Sequence, residues 1–178
     1  EIDRRYKPVP NDWAVAVKFL TAAAIVERLG KRMPFEHEYE YAATVGGKSR
    51  YPWGDEVHQP KDETPFGPVG KHEFDVRKHP GPIYGLCSNV AEWTMTYASL
   101  YPPNSMIPAI PASQAERQRV VRGISQAPEQ PSTARPSDPR SRSFVDIHQT
   151  RPDIGFRGVR SQRPHLQSLD FRVAEGNR

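Results

Sequence analysis

Proline sets the tightest limit on what this chain can fold into. It carries nineteen prolines, roughly twice the usual share of about 5%, and all but Pro8, Pro10 and Pro34 lie at or beyond Pro52. Proline fixes φ and removes a backbone donor, so neither long helices nor central strands run far through such a segment. From the stretch YPWGDE onward, Pro52, Gly54, Pro60, Pro65, Gly67, Pro68, Gly70, Pro80, Gly81 and Pro82 leave only short apolar pieces between turns. The spacing predicts an irregular scaffold with isolated strands around Val69 and within 86–95, 119–123 and 154–160. Segments 99–115 and 126–142, rich in Pro, Ser, Ala and Arg, read as long surface loops. Residues 161–178 read as a C-terminal tail in which LDFRV is a candidate edge strand.

Ahead of Pro52 the pattern is helical. After an extended opening, NDWAVAVKFLTAAAIVERLG offers Asn11 or Asp12 as an N-cap and Gly30 as a C-terminal stop. Its polar stripe is narrow, so a largely buried helix is expected. KRMPFEHEYEYAATVGG predicts a second, shorter helix with Pro34 in the first turn, Glu36 and Glu38 solvated at its positive end, and Gly46 and Gly47 terminating it. Helices followed by loops with isolated strands mean α+β. At 178 residues, with mean hydropathy −0.74 but three Trp, seven Tyr and seven Phe to anchor a core, one domain over residues 1–160 is expected.

Several functions are disfavoured at once. A single cysteine allows no internal disulfide framework and no CxxC metal or redox site. The net charge of +4 comes from basic residues interleaved with acids, so nucleic-acid binding is not expected. No apolar run is long enough to cross a bilayer. The compartment, cytoplasmic or exported, is left open by these features.

The blocks LGKRMPFEHEYEYAATVGG, YPWGDE, PVG, YGLCSNVAEWT, VVRGIS and IGFRGVR, in that order, resemble the successive blocks of the formylglycine-generating enzyme, or sulfatase-modifying factor, family. The resemblance covers about residues 22–160. It implies a heavily decorated variant of the C-type lectin fold, which agrees with the independent α+β reading. The family usually carries a further N-terminal stretch, and that part of the fold is expected to be missing here. The best-known activity of the family oxidises a substrate cysteine to formylglycine with oxygen and copper held by two cysteines shortly after an RGGS block. Here the block is Arg122, Gly123, Ile124 and Ser125, and the following run QAPEQPSTARPS has no cysteine. Two thiolates are what a linear Cu(I) site requires, so no copper is expected, and Cys87 reads as a small buried residue. A second branch, the iron-dependent sulfoxide synthases, holds its metal through histidines; His37, His58, His72, His79, His148 and His165 are dispersed along this chain.

The resemblance also implies calcium for the SNVAEW turn, through Asn89, a carbonyl such as that of Val90, and Glu92. Against that stands a structural role, with Asn89 capping the turn and Glu92 pairing with Arg122 or Arg157. Arg122, Arg157 and Arg160 are expected as structural arginines paired with carboxylates. The loop face of residues 99–115 and 124–150 is where active members of the family hold peptide substrates, and Ser125, Gln126, Arg135, Arg142 and His148 are its candidate ligand-binding residues. The expected function is a non-catalytic binding or interaction module, taking a protein or peptide ligand or joined to a bacterial signalling domain. The rivals are a metal-dependent oxidase of the same family and a hypervariable ligand-binding protein with a C-type lectin fold.

Overall fold

The computed structural model describes residues 16–57, 75–78, 81–98, 116–123 and 138–161, with Pro68 and Gln114. The loop candidates Ser125, Gln126 and Arg135, the strand expected at Val69 and the tail beyond Ser161 lie outside the described residues.

The first helix, α1 (Phe19–Arg28), is shorter than its sequence pattern. Lys18 is extended, with φ −64° and ψ 152°, and the Val17 carbonyl accepts the Trp93 indole N–H at 2.9 Å. That contact holds the chain just ahead of Phe19 out of helical register, so α1 starts at Phe19; the expected N-caps Asn11 and Asp12 lie outside the described residues. Its C-terminus is as expected: Gly30 takes φ +64°, its N–H reaches the Glu27 carbonyl at 2.9 Å, and Lys31 N–H reaches Val26 at 2.8 Å. This is a Schellman motif. The helix is not largely buried, because only Phe19, Ala22 and Val26 face the core while Leu20 and Leu29 on its flanks are exposed.

The second helix, α2 (Glu36–Ala43), is docked at its first turn. Glu36 N–H donates to Thr96 Oγ1 at 2.9 Å, and the Pro34 carbonyl accepts Met95 N–H at 2.9 Å. Glu38 caps the Phe35 N–H at 2.8 Å and receives Arg32 in a fork of 2.7 and 2.6 Å. The expectation of a solvated first turn therefore fails at Glu36, which is 3% exposed.

A hairpin of β1 (Val76–Arg77) and β2 (Ile83–Tyr84) precedes the main sheet. That sheet contains β3 (Ala91–Tyr97), β4 (Gln118–Arg122), β5 (Arg142–Asp146) and β6 (Ile154–Gly155) in the order β5-β4-β3-β6. β3 and β5 run antiparallel to β4, and β6 parallel to β3. Leu86–Val90 is a tight turn and not part of β3, because Asn89 takes φ +71° and breaks the extended run. β5 falls partly in the segment read as loop: its strand RSFVD buries only Val145 fully, which gives little alternation to detect.

One core cluster joins α1 to the sheet through Phe19, Val26, Trp93, Val121, Val145 and Ile154. Phe19 meets Trp93 edge to face at 5.8 Å and 78°. A second cluster of Tyr39, Ala43, Leu86 and Cys87 joins α2 to the turn before β3.

Candidate functional site

Register brings four positions into one row across the sheet. Arg142 on β5 pairs with Arg122 on β4, Arg122 with Glu92 on β3, and Glu92 with Gly155 on β6. Two arginines directly opposite each other repel, and α2 supplies the countercharge. Glu36 Oε1 lies 3.1 Å from Arg122 Nη1 and 2.8 Å from Arg142 Nε, while Glu40 Oε2 takes Arg122 Nη2 at 2.5 Å. The remaining Nη1 capacity of Arg122 goes to the Arg140 carbonyl at 2.6 Å. Arg122 and Glu36 are buried while Glu40 and Arg142 reach the surface, so this is a partly enclosed ionic network holding α2 and β5 to β4. Burial pushes the Glu36 carboxyl above its ordinary range, against the opposing pull of Arg122 and Arg142.

The row continues at its other end. Arg157 clasps Glu92 with both edges of its fork, Nη2 to Oε1 at 2.7 Å and Nε to Oε2. The same Nη2 donates to the carbonyls of Gly85 at 3.1 Å and Tyr84 at 3.2 Å, so one guanidinium ties β3 to the end of the hairpin. Tyr39, whose ring lies 5.6 Å from Arg157 Cζ, donates its hydroxyl to the Leu86 carbonyl at 2.8 Å. Burial and then the Glu92 charge raise that phenol well above its usual range. Gly123 closes against this group: at φ +82° an added Cβ would stand 2.9 Å from Tyr39 Oη.

The turn bearing Cys87 is organised by Asp75. Its Oδ2 accepts Cys87 N–H and Ser88 Oγ–H, both at 2.7 Å, and its carbonyl accepts Gly85 N–H at 3.0 Å. Asp75 is wholly buried, and desolvation raises its carboxyl despite the hydrogen bonds from Ser88 and from the Cys87 and Leu86 backbone. Cys87 is 1% exposed, and burial pushes its thiol far up, with the Asp75 charge adding to the effect. A thiol held protonated and enclosed is neither nucleophile nor metal ligand.

The structure thus brings Glu92, Arg157, Arg122 and Arg142 into one row. Arg142 is partly exposed at the start of β5, whereas His148 follows the other end of that strand, exposed, with its backbone N–H on Asp146. Arg160 stands off the sheet, exposed, past the bridge between Arg32 and Val159. Sequence reasoning missed Glu36 and Glu40 as partners of Arg122, although their i, i+4 spacing places both carboxylates on one helix face. Nothing in the local pattern marked Asp75.

Among the described residues the donor sets fit neither the calcium nor the copper that the family implies, and His58, His72, His79 and His165 lie outside the described residues. The Glu92 carboxylate is committed through both oxygens to a cation, which repels Ca²⁺ where a calcium ligand must sit. Among the described residues, no group of three His, Cys, Asp or Glu side chains could hold a metal ion. The chain has one cysteine, so the thiolate pair of a Cu(I) centre is not available from it.

A sequence model of the sulfatase-modifying factor enzyme 1-like domain matches residues 2–162. The chain belongs to this family. Its fold is shared with the solved structure of PvdO from Pseudomonas aeruginosa, at TM-score 0.54 and 21% identity over 85% of this chain and 63% of that one. CarF, at TM-score 0.49 and 22% identity, covers 75% of this chain and 48% of its own. The domain therefore spans half to two thirds of the length of these structures. No curated protein matches it by sequence. The two helices and short, irregular strands among its described residues agree with the α+β variant of the C-type lectin fold that typifies the family, and no helix among those residues is long and apolar enough to cross a membrane.

Proposed function

We propose that this family domain is a non-catalytic binding module for a protein or peptide, its charge row serving to fix the scaffold that carries the ligand-binding loops. One observation carries the reading: the only thiol, Cys87, is buried in a turn separate from the Arg122–Ser125 block, and no cysteine follows that block. Oxidation of a substrate cysteine through copper needs two exposed thiolates, which this chain does not supply. Every charged side chain of the row is balanced by another, with Arg122, Arg142 and Arg157 against Glu36, Glu40 and Glu92. That balance suits rigidity better than turnover. Calcium is not part of this reading, since Arg157 holds the carboxylate that would bind it. The ligand face in this reading is residues 99–115 and 124–150, of whose candidate residues Arg142, at the start of β5, and His148, beyond its end, are described.

The test is a Cu(I) titration against a competing chelator, coupled to oxygen uptake with a cysteine-containing peptide. No stoichiometric copper and no oxygen uptake above buffer are expected. Tight stoichiometric copper with aldehyde formation on the peptide would show an oxidase and overturn the proposal.

A further inference from the structure

We draw no further inference here: the strongest candidate, the outward surface of α1, where Leu20, Ile25 and Leu29 stand exposed on a helix whose other side packs against the sheet, carries none because nothing in the structure shows what covers it.

Discussion

Replacing Glu92 by Gln keeps the shape of the side chain and removes the charge that Arg157 clasps. Glu92 is 6% exposed and the Arg157 side chain 22%, so the pair is enclosed on one side and partly wet on the other. Breaking a buried pair by removing one partner costs about 3–5 kcal/mol, and the partial exposure of Arg157 places this case near 3 kcal/mol. Arg157→Met should cost about the same, since it also releases the Tyr84 and Gly85 carbonyls. The double variant should lose only slightly more than either single one, leaving a coupling of roughly 2 kcal/mol. Urea unfolding followed by circular dichroism measures this: with a slope of about 2 kcal/mol per molar, each single variant lowers the midpoint by roughly 1.5 M. Single losses below about 1 kcal/mol that simply add would refute the assignment of Glu92 and Arg157 as the clasp between β3 and the hairpin.

Three further outcomes follow from the same geometry. Gly123→Ala should cost about 2–3 kcal/mol, through its positive φ and the 2.9 Å approach to Tyr39 Oη, and in the Tyr39→Phe background, where the hydroxyl is absent, the penalty should shrink measurably. The Cys87 thiol should resist a thiol-specific reagent in the native chain and react fully in denaturant, as its burial and raised titration range require. Asp75 and pH are linked in a definite direction: its folded carboxyl titrates above the unfolded one, so its contribution is present in acid and lost as pH rises through the folded value. As pH rises from the ordinary aspartate range through the folded value, the native chain should therefore lose stability relative to Asp75→Asn, as read by urea midpoints.

How much of this was legible in the sequence differs from element to element. The Gly30 stop, the end of α2 and the burial of Arg122 follow from local chemistry: a left-handed cap, the glycines Gly46 and Gly47, and a strand whose charge must be paired; Pro34, expected in the first turn of α2, instead precedes its N-cap, Phe35. α1 was overextended because its apolar run continues upstream of Phe19, while its true start is set by a hydrogen bond from Trp93, far along the chain. β5 escaped because an edge strand with one buried position carries almost no periodic signal. Glu36 looked like a solvated helix terminus since nothing local announces that two arginines from different strands converge on it. Glu92 was ambiguous between calcium and Arg157 for a related reason: a carboxylate in a turn suits either, and only the register of β3 with β6 places the guanidinium beside it.

The central claim, a family domain held together by ion pairs and free of resident metal chemistry, is tested most directly by metal analysis. Elemental composition is measured on chain purified without chelator, alongside a calcium titration of Tm. The account predicts no stoichiometric metal and a Tm that calcium leaves unchanged. Calcium near stoichiometry with a saturable rise in Tm would make Glu92 an ion ligand, and stoichiometric copper or iron would contradict the non-catalytic reading outright.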